Sequence, residues 1–248
     1  SLVIRDEANG LRRYCHLGTG NYNPKTARAY EDLGILSADP ELTEDLTKLF
    51  NQLSGFAPQS TYSRLLVAPS TLRSGIFERI DREIENHKAG KPAGIQLKLN
   101  SILDEGFVEK IYQASQAGVK IDLLVRGICA VQPGIEGLSE NITVKSVLGR
   151  FLEHSRIFHF VNGGNNEYWL GSADLMGRNL DRRVESLVRI DKKEHQHRLQ
   201  EILDLGLSAD SSSWQLSGTD WVRVSKNSKG QALLDVHSAF IHTYSRER

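Results

Sequence analysis

The sequence contains few cysteines and no long apolar run. Only two cysteines occur among its 248 residues, Cys15 and Cys129, and both lie in apolar, strand-like stretches. Their spacing does not suit zinc, so we expect buried, reduced thiols. No apolar run reaches the roughly 18 residues that a membrane-spanning helix needs, and no signal peptide is recognisable. These absences exclude a zinc module and an integral membrane protein, and they make a cytoplasmic location the default expectation.

An excess of charge of either sign is also absent. Lysine plus arginine and aspartate plus glutamate each number 31, so the chain has no global basic field and we expect no nucleic-acid partner. Any attraction for a polyanion must come from local clusters. Charged residues make up 25% and hydrophobic residues 39%, as in soluble globular proteins. The length suffices for one large domain or two modest domains with real cores.

The order of the predicted elements indicates an α/β fold. Apolar runs and helical spacings predict alternating elements at 65–69 (strand), 71–88 (helix), 94–100 (strand), 104–117 (helix) and 119–125 (strand). The last three form a βαβ unit, which predicts a parallel strand pair with a right-handed crossover. The polar stretch 58–64 is the best candidate for a domain boundary, and it divides the chain into domains at 1–64 and 65–248.

The stretch 149–185, GRFLEHSRIFHFVNGGNNEYWLGSADLMGRNLDRRVE, combines a predicted hairpin with many polar side chains. His154 and Arg156 are two residues apart, so they are predicted to share one face of a strand. Further polar groups follow the second strand at Ser172, Asp174, Arg178, Asn179, Asp181, Arg182 and Arg183. Arginine offers forked donors to phosphoryl oxygens, and histidine accepts or delivers a proton or the phosphoryl group itself. Residue types alone leave phosphate chemistry and a solvated polar face equally open.

The run FLEHSRIF…NGG…GSADLMGRNLDRRVE resembles the second half-site of the bacterial polyphosphate kinases that phosphorylate themselves on histidine. Blocks at 16–39 and 115–142 carry the same resemblance, which spans nearly the whole chain. That family is similar to the phospholipase D superfamily, whose half-sites read His-x-Lys followed by Gly-Ser…Asn. Arg156 stands in place of the superfamily's Lys and Val161 in place of its Asp. These departures disfavour a phosphodiesterase and fit the kinase branch.

The resemblance implies two phospholipase D-like α/β domains with mixed sheets and flanking helices, the first truncated at its N-terminus. It implies reversible transfer of the terminal phosphoryl group of ATP to polyphosphate through a phosphohistidine. In the family, the phosphorylated histidine immediately precedes the strand that begins here at Ser1, so we expect this chain to lack it. As an isolated fragment, the chain would then be inactive, and an inactive phosphate-binding or assembly module is the alternative interpretation.

The resemblance also implies partners and a cofactor. ATP or ADP and inorganic polyphosphate are the expected ligands, and the full-length protein is expected to form a homo-oligomer. Mg²⁺ is the expected cofactor, although the sequence shows no obvious ligand cluster for it.

Three residues take catalytic or nucleotide-binding roles from the resemblance. His154 is implied as a general acid/base or phosphate clamp that also contacts ATP, His16 as a second catalytic histidine, and Tyr30 as a nucleotide contact. Residue types alone leave His16 open to an ordinary strand position and Tyr30 to a packing role.

Arg126 directly follows the predicted strand 119–125, at the carboxyl end where open α/β sheets place ligand groups. The resemblance implies that Arg126 contacts ATP. A competing interpretation is a structural ion pair with Asp122 or Glu140.

Five further residues are weaker candidates for phosphate binding: Asn21, Lys25, Arg178, Arg182 and Arg183. Asn23-Pro24 predicts the start of a helix that contains Lys25 and Tyr30, and a helix N-terminus beside cations favours anions. Arg182 and Arg183 could instead pair with carboxylates such as Glu185.

Overall fold

A nine-stranded mixed sheet forms the centre of the computed structural model, which describes residues 1–56 and 60–245. Its strands lie side by side in the order β14 (Asp220–Val224), β13 (Ser213–Ser217), β8 (Ile142–Ser146), β7 (Ile121–Val125), β6 (Ile95–Leu99), β10 (Ile157–Phe160), β11 (Glu167–Gly171), β12 (Ser186–Ile190) and β5 (Leu65–Val67). Strands β6, β7 and β8 are parallel, and the other neighbours in the sheet are antiparallel. The predicted parallel βαβ unit is therefore confirmed, as is the α/β class with mixed sheets.

Helices cover both faces of this sheet. One face carries α3 (Leu72–Lys88) and α4 (Glu105–Gln116), whose buried side chains join the core formed by β6, β7 and β10. Phe107 of α4 is fully buried there, which contributes about 1.5–3 kcal/mol relative to an exposed side chain. The opposite face carries α2 (Pro40–Leu53) and α6 (Lys193–Leu207).

The first part of the chain shares this second core. It forms a three-stranded antiparallel sheet of β1 (Leu2–Glu7), β2 (Gly10–Gly18) and β4 (Gly34–Ser37). Cys15 and Leu17 of β2 belong to the same apolar cluster as Ile157 of β10. The predicted boundary at 58–64 stays a prediction, and its residues 58 and 59 lie outside the described residues.

A short parallel pair joins the first part of the chain to the stretch that contains His154. Strand β3 (Tyr30–Glu31) pairs with β9 (Leu152–Glu153), and the backbone N–H of His154 donates to the Glu31 carbonyl at 2.8 Å. Helix α1 (Pro24–Ala27) begins after the Asn23 cap as predicted but contains no buried residue. Because α1 has no buried apolar face to stabilise further turns, it ends at Ala27. Tyr30 therefore belongs to β3 rather than to the predicted helix.

Two further helices are α5 (Gly177–Asp181) and α7 (Val236–Ser245), and Asn162–Gly164 form a 3-10 turn. Strand β10 begins at Ile157, so His154 and Arg156 precede it rather than sharing a strand face. Both cysteines are free, with Cys15 buried and Cys129 partly buried. Within 1–56 and 60–245, no helix combines the length and apolar character that crossing a membrane would require.

Candidate active site

A polar cleft of about 450 Å³ lies at one edge of the nine-stranded sheet. The carboxyl ends of β6, β7 and β11 meet the start of β10 at this edge, because β11 is antiparallel to β10 and β10 is antiparallel to β6. Five of the sequence-predicted site residues line the cleft: Asn21, Arg126, His154, Arg178 and Arg183.

The turn after β11 depends on a glycine. A Cβ atom on Gly171 would lie 1.9 Å from the Ser186 carbonyl oxygen, so only glycine permits the close pairing of β11 with β12. The chain then turns through Ser172 to Asp174, which places both polar side chains in the cleft.

A buried ion pair forms the floor of the cleft. Arg156 and Asp174 are each 6% exposed, and two guanidinium nitrogens of Arg156 donate to the Asp174 carboxylate at 3.0 and 3.3 Å. Asp174 also accepts the backbone N–H groups of Asn100 and Ser101 at 2.7 and 3.3 Å. Arg156 Nη1 donates to the Thr19 carbonyl at 3.1 Å, so the pair ties the chain after β2 to the sheet. Arg156 is therefore a buried structural cation.

His154 lies partly buried between an aromatic ring and this cation. Its imidazole stacks on Tyr30 with ring centroids 4.4 Å apart. Arg156 Nη1 lies 3.1 Å from Nδ1 of His154. Burial and the nearby charges of Arg156 and Arg126 lower the pKa of His154 to about 4. The imidazole is consequently neutral at pH 7, and it can bind or accept a proton from a ligand in the cleft.

Arg126 lines the cleft together with His154 and Arg156. Its Nε donates to Asn100 Oδ1 at 2.9 Å and to the Glu153 carbonyl oxygen. Burial, followed by repulsion from Arg156, lowers the pKa of Arg126. Among the described residues, Arg126 forms an ion pair with neither Asp122 nor Glu140, the two carboxylates of the competing interpretation, and Asp122 lies 3.4 Å from Lys120 Nζ.

Other predicted site residues lie at the rim of the cleft or outside it. Nδ1 of His16 lies 2.5 Å from the Tyr22 hydroxyl, and His16 does not line the cleft, so its catalytic role stays a prediction. Lys25 and Arg182 are exposed and are also not among its lining residues. Glu185 accepts from Ser172 and Asn179 rather than from an arginine.

Sequence reasoning missed Asn100 and the role of Asp174. Asn100 ends the predicted strand 94–100, and the rule that selected Arg126 at a carboxyl strand end applies to it equally. The role of Asp174 could not be predicted in this way. Its pairing with Arg156 depends on the register of the hairpin formed by β10 and β11, which the residue types do not reveal.

The described side chains alone do not form a magnesium site. Across 1–56 and 60–245, no group of three His, Cys, Asp or Glu residues is arranged to hold a metal ion. Both carboxylates that line the cleft are engaged, Asp174 by Arg156 and Glu185 by two neutral donors.

We expect the melting temperature to fall as pH is lowered from 6.5 towards 4, in part because of His154. Its pKa is about 4 in the folded chain against an ordinary 6.5, so the unfolded chain takes up the proton first. The stability that neutral His154 contributes is present above pH 6.5 and is lost as the pH falls from 6.5 to about 4. Thermal melts at intervals between pH 7.5 and 4 should show a shallower slope for His154→Gln, whereas Leu36→Gln, a change at an exposed position without a titratable group, should keep the parent slope. Equal slopes for all three would contradict the assignment.

Comparisons with known proteins agree along the chain. The family model described as "Polyphosphate kinase C-terminal domain 2" matches residues 65–233, and "Polyphosphate kinase C-terminal domain 1" matches residues 1–59. The polyphosphate kinase of Streptomyces coelicolor is 54% identical over 249 residues, covering 100% of this chain and 33% of the relative. The polyphosphate kinase of Thermosynechococcus vestitus is 49% identical over 240 residues, covering 97% of this chain and 33% of the relative.

One solved structure agrees with the fold. The crystal structure of the polyphosphate kinase from Porphyromonas gingivalis matches with a TM-score of 0.88 and 34% identity, covering 96% of this chain and 36% of that one. This chain spans about a third of the length of the curated relatives that it matches. The two family models and the 54% identity to the Streptomyces coelicolor enzyme show that the chain belongs to the polyphosphate kinase family.

Proposed function

We propose that this chain supplies a nucleotide- and polyphosphate-binding half of a polyphosphate kinase active site. The reaction is the reversible transfer of the ATP terminal phosphoryl group to polyphosphate through a phosphohistidine. One observation carries the proposal: the cleft combines a neutral imidazole, His154, with three guanidinium groups that have no carboxylate partner. Arg126, Arg178 and Arg183 form no ion pair with any carboxylate in the part of the chain that the structure describes.

Phosphate groups would supply the negative charge that this cleft needs. The whole chain has a formal net charge of zero, so its affinity for a polyanion rests on this local cluster. A guanidinium group binds two phosphoryl oxygens at once, and such charge-assisted hydrogen bonds are about twice as strong as neutral ones.

The reaction exchanges one anhydride for another. In the first step the bond from the γ-phosphorus to the bridging oxygen breaks, a bond from phosphorus to a histidine nitrogen forms, and ADP leaves. In the second step the phosphorus–nitrogen bond breaks as a terminal polyphosphate oxygen attacks. Because the transition state of phosphoryl transfer is loose, catalysis requires mainly positioning and charge stabilisation.

His154 is proposed as the acid/base group or phosphate clamp of both steps, with phosphorylation at another histidine as the family resemblance implies. A polyanion beside the imidazole stabilises its protonated form, so nucleotide binding would raise the pKa of His154 from about 4. The side chain could then deliver a proton that it lacks in the free protein. Tyr30, stacked on the same ring, is proposed to hold it in place and to contact the nucleotide.

The proposed enzyme uses magnesium together with its nucleotide. Magnesium would be held largely by nucleotide phosphate oxygens. A homo-oligomeric, cytoplasmic enzyme is proposed from the family resemblance.

The proposal is tested with a full-length polyphosphate kinase that contains this chain. Terminally labelled ATP should give acid-insoluble labelled polyphosphate, and ADP with polyphosphate should give ATP. Nucleotide binding without turnover in either direction would favour the alternative, a binding or assembly module.

Replacing Arg126 with lysine should weaken ATP use more than it weakens folding. Lysine keeps the charge but loses the fork, and a lost charge-assisted bond costs about 1.5–3 kcal/mol, or roughly 10–150-fold in affinity. The lost Nε bonds to Asn100 and Glu153 should each cost only about 0.5–1.5 kcal/mol of stability. Calorimetric titration with a non-hydrolysable ATP analogue and thermal melting measure the two effects.

The matched control for this change is Arg12→Lys, since Arg12 is an exposed arginine outside the cleft. This control should alter neither ATP affinity nor melting. If Arg126→Lys lowered the melting temperature and left ATP affinity intact, Arg126 would be a structural residue only.

A further inference from the structure

A network of mostly buried polar side chains connects the nine-stranded sheet to helix α7 next to His154. Its centre is Lys98 of β6, which is 2% exposed. The ammonium group of Lys98 lies 2.7 Å from Glu31 Oε2 and 2.5 Å from Glu153 Oε2, and it donates to Ser155 Oγ at 2.5 Å. None of these groups lines the polar cleft.

His237 of α7 is the last member of this network. It is 2% exposed, and its Nε2 lies 2.5 Å from Glu153 Oε1. Its other nitrogen, Nδ1, lies 3.1 Å from the backbone nitrogen of Phe151. A backbone N–H can only donate, so Nδ1 is the acceptor and the proton lies on Nε2, facing the Glu153 carboxylate. The ring fits closely, because a Cβ on Gly149 would lie 2.3 Å from Nδ1.

These contacts hold the backbone on both sides of His154. The Glu31 carboxylate accepts the backbone N–H groups of His154 and Ser155, each at 3.3 Å. Glu153, the residue before His154, is held by Lys98 and His237. The imidazole stacks on Tyr30 and lies 3.1 Å from Arg156 Nη1, and the backbone that carries it is fixed by Glu31 and by the contacts of Glu153.

The charges of this cluster explain why its members depend on one another. Two carboxylates, Glu31 and Glu153, share one buried cation, Lys98, and His237 contributes a neutral donor to the excess negative charge. A buried carboxylate keeps its charge only while donors satisfy its oxygens. Loss of the His237 donor therefore weakens the hold on Glu153, which is adjacent to His154 in the chain.

We propose that His237, acting through Glu153 and Lys98, is a positioning residue that holds His154 in the orientation needed for phosphoryl transfer. The catalytic part of this inference rests on the proposed function, whereas the positioning of the imidazole does not. The C-terminal helix α7 thereby becomes a support of the active site, although it contributes no side chain to the cleft.

The test compares His237→Phe with the parent by titrating His154 in the complete chain with ¹³Cε1-labelled histidine. The resonance is assigned by its absence from His154→Ala. The parent pKa is about 4, and it depends on burial of the imidazole and on its proximity to Arg156 and Arg126. If the supporting backbone relaxes, these effects weaken, and the pKa should rise towards the ordinary value of about 6.5.

Kinetics of the full-length enzyme provide the second readout. A displacement of about 1 Å at a catalytic group can cost roughly 10²-fold, so kcat should fall by about that factor while KM for ATP changes little. In the His154→Ala background, His237→Phe should cause no further loss, because both changes remove the same contribution.

The matched control is His159→Phe. His159 is 5% exposed, hydrogen-bonds Gln96 and Asn166, and lies outside the cleft. This change should lower stability without altering kcat or the pKa of His154. If His237→Phe behaved in the same way, its role would be merely structural and the proposal would be overturned.

A milder variant keeps the test decisive if His237→Phe does not fold. Glu153→Gln keeps the shape of this side chain and the ring of His237 but removes the charge that His237 and Lys98 hold. An unchanged His154 pKa in this variant would overturn the proposal, and a raised one supports it. The titration needs no phosphoryl transfer, so a shifted pKa in a protein without kinase activity would refute the proposed function and leave the positioning role intact.

Discussion

Replacing His154 with alanine is expected to lower kcat of a full-length polyphosphate kinase containing this chain by roughly 10²–10⁴, the usual contribution of a general acid/base. The imidazole is neutral in the free protein, with a pKa of about 4, and it faces a cleft in which three guanidinium groups lack carboxylate partners among the described residues. Removing it takes away the group proposed to bind the phosphoryl group or to exchange a proton with it. Folding should change little, because the ring is only partly buried and the backbone that carries it keeps its own hydrogen bonds to Glu31.

Initial rates in both directions, with thermal melting as the check on folding, measure this effect. His197→Ala is the matched control, since His197 is exposed on α6, outside the cleft, and lies 3.2 Å from Glu201. Its rates should equal those of the parent. Near-parent rates for His154→Ala with an unchanged melting temperature would reduce His154 to a structural residue.

Replacing Asp174 with asparagine is expected to lower the free energy of unfolding by about 3–5 kcal/mol, because it leaves a buried cation without its counter-charge. Arg156 is 6% exposed and donates two hydrogen bonds to the Asp174 carboxylate. The same carboxylate accepts the backbone N–H groups of Asn100 and Ser101, and an amide cannot satisfy all these donors. The loss should appear in urea unfolding as a lower midpoint with an unchanged slope.

Two comparisons isolate the buried charge as the cause. Glu85→Gln breaks an exposed pair with Lys88 and should cost at most about 1 kcal/mol. The double variant Arg156→Met, Asp174→Asn should recover part of the loss, because it removes the uncompensated buried cation while the new amide oxygen can still accept the backbone N–H groups. A single variant as stable as the parent would show that this pair does not anchor the cleft.

Much of the site could be predicted from local sequence. Arg126 directly follows β7 and lines the cleft, as its position at the carboxyl end of a predicted strand indicates, whereas its contact with ATP stays a prediction. His154 and Arg156 were linked correctly, but for the wrong reason: they precede β10, and the Arg156 guanidinium folds back to the His154 carbonyl at 2.7 Å. A spacing of two residues cannot distinguish these geometries.

The residues that the sequence could not assign share one feature: their partners are distant in the chain. Lys98 lies 67 residues from Glu31, and His237 lies 84 residues from Glu153. A lysine inside an apolar strand such as GIQLKLN signals a buried cation, yet nothing local names the carboxylates that pair with it. Lys25 shows the opposite case, since the predicted cap at Asn23 forms but the Lys25 side chain is exposed and does not line the cleft.

By itself, the sequence determined the α/β class, the parallel βαβ unit, the family and the principal candidates for phosphate binding. These depend on periodicity, on strand ends and on motifs, all of which are properties of contiguous residues. Only the tertiary structure decided that Arg156 is a structural cation, that Tyr30 stacks on His154 and that α7 supports the stretch containing His154. The physical reason is that burial and hydrogen-bond partners determine the charge and orientation of a side chain, and both are set by sheet register and by contacts between segments far apart in the chain.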